Sequence, residues 1–522
     1  MNPTPDQLEY FAWCDKGTGN GILQSVAGSG KTTSIIESLN YIEDTDRILL
    51  CSFTNLIASE LDARVKERDF KNVTSSTLNA VGWAICRDNI PGVRLDKFKT
   101  ANILHYVLKG DREYKPINDG FDPEELYKVL RYSVNKLVSL AKAYVVTLVE
   151  FTDEKIDEIS RYHSLDPLDG NGAMITWARD NYNKIVREVY RISIEHTLTC
   201  DFDDMKLFPV LYDMKFPKYK WIIVDEAQDC NECDIRLIHK LAENGDPATG
   251  SDSTRVIAVG DDKQAIYLFR GALNNALEVI RDRFNAKVMN LSVCWRCPDK
   301  VLEVARMTNP MIQGPVPNPR REGIVGWITT EEFLNKVRPG DFVIARTTAP
   351  LVKRCLQLIY QNIPAKVKGR DIGEDLLKLI DKIMNRQGLN LKEFIRFVQE
   401  YQDKTTQNLA AMGRDEAVIR VTDQCEAILY FCTEADSVQS VKDRIGSLFT
   451  DDKDNSRVVL FLSGHKSKGL QNKRVYFLRP DLSPHPKAKT SHDMAQENNI
   501  RHIIVTRSEA ELYFIEKEKD EK

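Results

Sequence analysis

Ala27-Gly28-Ser29-Gly30-Lys31-Thr32 lies between a short apolar run and a helical pattern. The run Gly21-Ile22-Leu23-Gln24 predicts a strand before it, and residues 33–40 predict a helix after it. Backbone N–H groups of such a glycine-rich turn wrap phosphates, and the helix N-terminus adds positive dipole. Lys31 is then expected to reach the β- and γ-phosphates and Thr32 to ligate Mg²⁺. A structural glycine turn is the alternative, which the Gly-Lys-Thr sequence at the junction disfavours.

A second motif completes the expected nucleotide site. The apolar run Trp221-Ile222-Ile223-Val224 ends on Asp225 and Glu226. Asp225 is expected to hold the Mg²⁺ shell, and Glu226 to orient and deprotonate an attacking water. A surface acidic run is the alternative, but four apolar residues immediately before the carboxylates disfavour it. The two motifs together predict nucleotide hydrolysis with ATP and Mg²⁺ as cofactors.

Further short apolar runs indicate two α/β domains. Apolar strands that alternate with helices are typical of parallel sheets buried on both faces. The first set of runs adds residues 47–52, before a helical pattern at residues 56–65, and residues 256–259. The second set, expected to form a second α/β domain, comprises residues 288–291, 342–345, 458–462, 475–478 and 512–515.

Two mostly helical stretches interrupt these sets of strands, at about residues 71–199 and 385–454. In the second stretch, the apolar positions 391, 394, 395 and 398 follow the i, i+3, i+4, i+7 spacing of one helix face. Both stretches are therefore predicted to be helical insertions into the two α/β cores.

Composition narrows the class of protein. The chain of 522 residues has a formal net charge of −4, so no global basic character indicates nucleic acid, although a local groove can still be basic. No apolar run is long enough to span a bilayer, and residues 1–6 lack a secretory pattern, so a cytoplasmic protein without a membrane partner is expected. Eleven cysteines include the pairs Cys230/Cys233 and Cys294/Cys297. Free buried thiols are favoured over structural zinc, because about sixty residues separate the pairs.

Several motifs together resemble one family. Beside the phosphate-loop and acidic motifs, the chain carries short motifs in the order found in superfamily 1 helicases. They are Pro5-Asp6-Gln7, Ser52-Phe53-Thr54-Asn55, Val259-Gly260-Asp261-Asp262-Lys263-Gln264-Ala265-Ile266-Tyr267, Cys294-Trp295-Arg296-Cys297, Gly464-His465-Lys466-Ser467-Lys468-Gly469-Leu470 and Val505-Thr506-Arg507. The series spans nearly the whole chain and resembles the UvrD/Rep/PcrA branch, as does Asp201-Phe202-Asp203-Asp204.

The resemblance implies an α/β fold of two RecA-like P-loop parallel-sheet domains with the ATP site between them. Residues 1–70 and 200–285 would form the first core, with the helical insertion 71–199. Residues 286–384 and 455–522 would form the second core, with the small helical insertion 385–454. The second insertion is much smaller than in large family members and lacks their glycine-containing duplex-binding signature, so the chain resembles a compact member.

The resemblance also implies roles around the nucleotide. Gln7 would read the adenine edge, and Trp295 would stack on the base where the family usually has Tyr. Gln264 would sense the γ-phosphate, while Arg296 and Arg507 from the second domain would stabilise the charge of phosphoryl transfer. The expected catalytic set is Lys31, Asp225, Glu226, Gln264, Arg296 and Arg507. The expected nucleotide-binding set is Gln7, Ala27, Gly28, Ser29, Gly30, Lys31, Thr32, Thr33, Trp295, Arg296, Gly469, Gln471 and Arg507.

A polynucleotide track is implied as well. Aromatic side chains offer sequence-tolerant stacking for single-stranded bases. Phe53 and Tyr267 have ordinary core packing as their alternative, and Arg270 has an ion pair as its alternative to a phosphate contact. Asn79, Gln471 and His502 stand where the family usually has His, Glu and Tyr. The expected DNA-binding residues are Phe53, Thr54, Asn55, Tyr267, Phe269, Arg270 and His465.

The function that the resemblance implies is an ATP-dependent DNA helicase moving 3′→5′ on single-stranded DNA, in replication, repair or recombination. Expected partners are single-stranded DNA, single/double-strand junctions, and replication or repair proteins. A translocase that strips proteins from DNA or remodels recombination intermediates, with little unwinding, is the alternative. A nucleotide-controlled binding module is a third class, but it leaves both arginines unexplained. RNA stays open as the track, because no reader of the 2′-OH is identifiable.

Overall fold

The computed structural model describes residues 3–111, 114–163, 165, 172–243, 254–266, 271–273, 275–320, 322–384, 390–411, 415–433, 435–451, 456–485, 488 and 491–517. It divides the chain into two units. The first consists of residues 1–25 and 31–291, and the second of residues 26–30 and 292–522. In the described ranges, no helix combines the length and the apolar character that a membrane crossing requires.

The first unit is built on an all-parallel sheet of six strands in the order β3-β2-β6-β7-β1-β8. Its strands, with the separate pair β4–β5, are β1 (Gly21–Ser25), β2 (Ile48–Ser52), β3 (Val73–Thr77), β4 (Arg94–Leu95), β5 (Thr199–Cys200), β6 (Trp221–Val224), β7 (Arg255–Gly260) and β8 (Lys287–Leu291). Its helices are α1 (Pro5–Lys16), α2 (Lys31–Ser38), α3 (Asn55–Glu67), α4 (Leu78–Asn89), α5 (Lys99–Lys109), α6 (Pro123–Ala143), α7 (Asp153–Tyr162), α8 (Ala173–Asp180), α9 (Tyr182–Glu195), α10 (Asp204–Leu211), α11 (Glu232–Glu243) and α12 (Ala276–Phe284).

Successive residues of the central strands feed two cores on opposite faces of this sheet. In β1, Ile22 joins one apolar cluster and Leu23 the other. In β6, Ile222 and Ile223 divide in the same way. Side chains alternate along a strand, so a strand covered on both faces is apolar at nearly every position. This requirement explains why the central strands are continuous apolar runs in the sequence.

Helices α4–α9 form the insertion of the first unit, and a buried ionic cluster holds it to the core. Lys142 of α6 lies with its Nζ 2.7 Å from an oxygen of Asp201 and 2.7 Å from an oxygen of Asp204. Lys99 of α5 contacts Asp204 at 2.7 Å and donates to the Ser193 carbonyl. The Lys142 and Asp204 side chains are 1% and 0% exposed. Two buried cations therefore balance two buried carboxylates at the start of α10.

The second unit has an all-parallel sheet of seven strands in the order β12-β11-β13-β10-β14-β15-β9. The strands are β9 (Ile324–Ile328), β10 (Phe342–Ala345), β11 (Ala365–Lys368), β12 (Phe449–Thr450), β13 (Val459–Ser463), β14 (Asn472–Leu478) and β15 (Ser508–Ile515). The helices are α13 (Asp299–Arg306), α14 (Thr330–Lys336), α15 (Thr348–Tyr360), α16 (Arg370–Ile383), α17 (Leu391–Ala411), α18 (Asp415–Cys432), α19 (Val438–Leu448), α20 (Gly464–Ser467) and α21 (Ser491–Val505).

The helical insertion of this second unit consists of α17, α18 and α19. Phe394 and Val398 of α17 are buried in the core of the unit, and Leu391 and Ile395 pack against it. The predicted helix face at these four positions is therefore confirmed. The insertion shares one apolar cluster with strands β10, β11 and β13, so it is an extension of that core.

Both sheets confirm the predicted parallel α/β class, but some strands lie elsewhere than expected. The run at residues 288–291 was assigned to the second domain, and this was wrong, because β8 pairs with β1 in the first sheet. The stretch 71–199 begins with strand β3, and 385–454 ends with strand β12, so each helical insertion is shorter than its predicted range. The helix expected at residues 33–40 begins at Lys31 and ends at Ser38, followed by a 3-10 turn at Leu39–Tyr41.

Replacing Lys142 by Met should lower the free energy of unfolding by about 3–5 kcal/mol, because Asp201 would lose its buried cation and Asp204 would lose one of its two. Urea denaturation monitored by circular dichroism measures this loss. Lys128→Met is the matched control on the same helix, since Lys128 and its partner Glu125 are 72% and 58% exposed. Equal unfolding midpoints for the two variants would contradict the structural role of the cluster.

Candidate nucleotide site

The first unit brings Lys31 and Glu226 into contact. Lys31 Nζ lies 2.8 Å from Glu226 Oε1, and the two side chains are 14% and 19% exposed. Lys31 begins α2, whereas Glu226 follows β6 by two residues. Burial acts to lower the pKa of Lys31, but the carboxylates of Glu226 and Asp225 outweigh burial and raise it. The lysine is therefore held charged in a pocket of negative charge.

Asp225, the residue before Glu226, is almost fully buried, with 2% exposed. Its Oδ1 accepts a hydrogen bond of 2.9 Å from the Glu226 backbone N–H. Burial and the neighbouring charge of Glu226 raise the pKa of Asp225 to about 7. Glu226 itself has a left-handed backbone with φ +56°. Such a conformation costs a non-glycine residue about 1–3 kcal/mol and is concentrated at functional sites.

A buried amide links the acidic motif to the next strand end. Gln228, 0% exposed, donates from Nε2 to the Glu226 carboxylate and accepts at Oε1 from the Asp261 N–H at 3.0 Å. Asp261 Oδ2 in turn accepts a hydrogen bond of 2.6 Å from Gln264 Nε2. Gln264 was expected to sense the γ-phosphate, whereas no role was predicted for Gln228 or Asp261. Both lie inside the motifs that carried the resemblance, and this position was the available signal.

Gln7 has local partners in the structure. Its side-chain oxygen accepts from the Thr4 N–H at 2.9 Å and completes a capping box at the start of α1. Its Nε2 donates to Ser34 Oγ at 2.9 Å and so ties α1 to α2. An amide nitrogen carries two protons, so one donor of Gln7 is left for a base edge. Of the other candidates on α2, Thr32 is half-buried and Thr33 is exposed.

The glycine-rich loop Val26–Gly30 belongs to the second unit. Gly28 and Gly30 have φ angles of +69° and +80°, which residues with a Cβ rarely adopt. Ala27 and Ser29 are buried, and the Ser29 Oγ has no hydrogen-bond partner among the residues that the structure describes. A buried hydroxyl of this kind costs free energy unless a ligand or water satisfies it. The loop therefore fits a bound phosphate group.

Within the same unit, the loop packs on the segment that carries Arg296. The Trp295 N–H donates to the Gly28 carbonyl at 2.9 Å. Arg296 donates from Nε to Gln471 Oε1 at 2.8 Å and from Nη1 to the Thr506 carbonyl at 3.1 Å. The structure thus brings three predicted nucleotide-binding residues next to the phosphate loop.

Arg507 lies nearby and is 1% exposed. Its guanidinium donates to the Leu470 carbonyl at 3.0 Å, to the Ile503 carbonyl at 2.9 Å and to Thr506 Oγ1 at 3.3 Å. Thr506 therefore accepts from both predicted phosphate-binding arginines. Gly469, one residue before Leu470, is exposed and has a φ of +81°.

The family to which the chain is similar agrees with this geometry. A family model described as the UvrD/REP helicase N-terminal domain matches residues 11–285, which is more than half of the chain. The chain belongs to the UvrD/REP helicase family. The resemblance found in the motifs is therefore confirmed.

Two curated relatives of this UvrD/REP family member are named as DNA helicases. The chain is 26% identical over 395 residues to the ATP-dependent DNA helicase PcrA of Bacillus subtilis (strain 168), covering 68% of this chain and 47% of PcrA. It is 24% identical over 414 residues to the ATP-dependent DNA helicase Rep of Escherichia coli (strain K12), covering 71% of this chain and 55% of Rep. The chain spans about half the length of the curated relatives it matches.

The structure describes four of the seven predicted DNA-binding residues of this family member. Phe53 is half-buried and packs against the core of the first unit. Thr54 caps α3 by accepting from the Ile57 N–H at 3.3 Å, and Asn55, the first residue of α3, is exposed. His465 is half-buried on the short helix α20. Tyr267, Phe269 and Arg270 lie outside the described residues.

The cysteines lie in the interior of the protein. All eleven cysteines are buried free thiols. In the described part of the chain, no three or more His, Cys, Asp or Glu side chains gather as metal ligands.

Two residues at which the chain departs from the family pattern have hydrogen-bond partners. His502 is buried, and its Nδ1 lies 2.8 Å from Thr308 Oγ1. Asn79 donates to the Phe202 carbonyl at 2.7 Å. These contacts hold α21 to α13's C-terminal end and α4 to the acidic segment before α10.

Gly28→Ala should destabilise the protein more than Gly19→Ala. A Cβ at Gly28 would lie 2.7 Å from the Arg296 Cβ, whereas one at Gly19 would meet nothing within 4 Å. Both glycines have positive φ, so both variants bear the left-handed penalty of about 1–2 kcal/mol, and Gly28→Ala adds the clash. Urea unfolding of both variants tests this. An equal loss at the two positions would mean that the loop does not pack tightly on Arg296.

Proposed function

We propose that this chain is an ATP-dependent DNA helicase that translocates 3′→5′ on single-stranded DNA and unwinds duplex. The contact between Lys31 and Glu226, next to the buried Asp225 in the chain, is the main support for this function. A lysine after a glycine-rich loop and a carboxylate pair at a strand end are the chemistry of nucleotide hydrolysis. Relatives named ATP-dependent DNA helicases support DNA as the substrate.

In this proposal, Lys31 would bind the β- and γ-phosphates and release the Glu226 carboxylate from its ion pair. Glu226 would then accept a proton from the attacking water. Its left-handed backbone and its hydrogen bond from Gln228 fix the direction of the carboxylate. Thr32 and Asp225 would hold Mg²⁺, which supplies charge neutralisation for the phosphate oxygens.

Arg296 and Arg507 would stabilise the charge that develops during phosphoryl transfer. The half-buried Arg296 donates to Gln471 and to the Thr506 carbonyl, so its guanidinium is already oriented. Arg507 is buried among carbonyl oxygens, and its part in turnover requires exchange of one of those bonds for a phosphate oxygen. Gln264 would report the state of the nucleotide through Asp261 and Gln228.

For the track we propose single-stranded DNA and single/double-strand junctions, contacted by the exposed start of α3 and by His465, as well as by Tyr267, Phe269 and Arg270. Stacking on aromatic rings and phosphate contacts serve a motor because they do not depend on base sequence. Replication, repair or recombination is the expected setting of such an activity. ATPase assays with single-stranded DNA, duplex DNA and RNA distinguish the polymers.

Lys31→Ala and Glu226→Gln should each lower DNA-stimulated ATP hydrolysis at least about 100-fold, because phosphate binding or proton acceptance is lost. Phosphate release assays measure turnover, and circular dichroism shows whether the variants fold. Lys128→Ala and Glu124→Gln on the exposed face of α6 are the matched controls, with near-normal turnover expected. Normal turnover in either site variant would refute the assignment.

Duplexes with a 3′ tail should be unwound in preference to those with a 5′ tail. A motor that moves 3′→5′ must load on the 3′-tailed strand to reach the junction. A strand-displacement assay with both substrates, with and without ATP, measures this. Preferential unwinding of the 5′-tailed duplex would overturn the polarity.

The size of the second insertion favours one other candidate, a translocase with little intrinsic unwinding. Helices α17–α19 share the apolar core of their own unit. Displacement of streptavidin from a biotinylated single strand, without strand separation on tailed duplexes, would identify this alternative. Unwinding of tailed duplexes at a rate similar to translocation would exclude it.

A further inference from the structure

Two buried hydrogen bonds join the first helix of the chain to the helix that begins with Lys31. Gln7 of α1 donates from Nε2 to Ser34 Oγ of α2 at 2.9 Å. About one turn further along both helices, Tyr10 donates from its hydroxyl to Ser38 Oγ at 3.0 Å. Both serines are 0% exposed. The same pair of helices is therefore held together twice, but the two bonds differ in the side chain that α1 contributes.

The side-chain amide of Gln7 is held at both of its ends. Its oxygen accepts from the Thr4 N–H at 2.9 Å, and its nitrogen donates to Ser34. A single hydrogen bond would leave the plane of the amide free to turn about that bond. Two bonds at opposite ends remove this freedom, so Ser34 fixes the direction of the groups on Gln7 that have no protein partner in these two contacts.

The groups that remain on Gln7 match one purine better than the other. An amide has two donor protons and two acceptor positions on its oxygen, and Thr4 and Ser34 occupy one of each. One donor and one acceptor are left side by side. The edge of adenine presents the acceptor N7 and the N6 amino donor, whereas the edge of guanine presents two acceptors, N7 and O6. The amide oxygen would bond to adenine N6 but would oppose guanine O6.

The place of Ser34 in α2 connects this amide to the phosphate end of the site. Ser34 follows Lys31 by three residues, which is about one helical turn. Gln7 is 9% exposed, so a ligand can reach it, whereas Ser34 has no exposed surface. Ser34 therefore acts through Gln7 and does not contact a nucleotide itself.

We propose that Ser34 is a positioning residue that makes the nucleotide site selective for adenine over guanine, through the orientation of the Gln7 amide. The inference rests on the proposed function, because it requires a nucleotide at Lys31. The bond between Tyr10 and Ser38 is the matched control. Tyr10 is 0% exposed, so this bond joins the same two helices without a group that a base can reach.

Two variants of nearly equal volume isolate the Ser34 hydroxyl. Ser34→Thr keeps an oxygen that accepts from Gln7, whereas Ser34→Val has the same shape without it. Calorimetry with ATP and with GTP gives the ratio of the two affinities for the full chain. We expect the preference for ATP to be at least about fivefold smaller in Ser34→Val than in Ser34→Thr. Ser34→Ala, which adds no atoms to the interior, should show the same loss.

Hydrolysis kinetics and controls distinguish positioning from a general loss of stability. Ser34→Val should raise the KM for ATP and leave kcat unchanged, because contacts with the base are equal in the ground state and the transition state. Ser38→Ala should lower the unfolding midpoint in urea but keep the ATP preference of the unchanged chain. In a chain that already carries Gln7→Ala, Ser34→Val should change the preference no further.

Each result bears on one of two conclusions. An equal ATP preference in Ser34→Thr and Ser34→Val would overturn the positioning role, as would equal binding of ATP and GTP by the unchanged chain. A loss of preference in Ser38→Ala as large as that in Ser34→Ala would do the same. Failure of the unchanged chain to bind either nucleotide would instead refute the proposed function, and the role of Ser34 with it.

Discussion

Parallel pairing in the first sheet is the constraint on which the candidate site depends. When neighbouring strands run in one direction, their carboxyl ends meet at one edge of the sheet. Asp225 and Glu226 follow β6 at this edge, and Asp261 follows β7. Ser25, the last residue of β1, donates to the Gly260 carbonyl at 2.8 Å and joins the ends of two strands. Polar residues that lie far apart in the chain are thereby collected in one place.

At that edge, the charged side chains are held by ion pairs and hydrogen bonds with neighbouring polar groups. Glu226 contacts Lys31 and Gln228, while Asp225 accepts from a backbone N–H. Buried polar groups that are fully hydrogen-bonded are rigid, because any rotation leaves one of them unsatisfied. Rigidity before the substrate arrives is what electrostatic stabilisation of a transition state requires. The left-handed backbone of Glu226 is consistent with a conformation that its surroundings impose.

Whether a strand could be predicted depended on how continuous its apolar residues are. Interior strands such as β6 and β13 were predicted because every residue is buried and four consecutive residues of each are apolar. The edge strands β3 and β9 were missed, since most of their residues are only half-buried or exposed and polar or small residues interrupt the pattern. The assignment of residues 288–291 failed for another reason. Periodicity identifies a strand, but its partner is set by contacts between distant residues.

In the candidate site, too, some features could be predicted from the sequence and others could not. The contact between Lys31 and Glu226 could be anticipated because both motifs lie next to strand ends. The parts of Gln228 and Asp261 could not, because a hydrogen bond between two loops depends on how their strands are ordered. Local patterns therefore gave the chemistry, and the three-dimensional arrangement determined which groups are connected.

The ionic cluster between the insertion and α10 bears on how this fold can be shortened or recombined. Lys99 and Lys142 belong to the insertion, whereas Asp201 and Asp204 follow it in the chain. A domain graft that exchanged only the helices would leave two carboxylates in an apolar interior. The unit that can be exchanged between relatives is therefore larger than the insertion. It includes the acidic segment that receives the two lysines, and the boundary of the module lies inside the core.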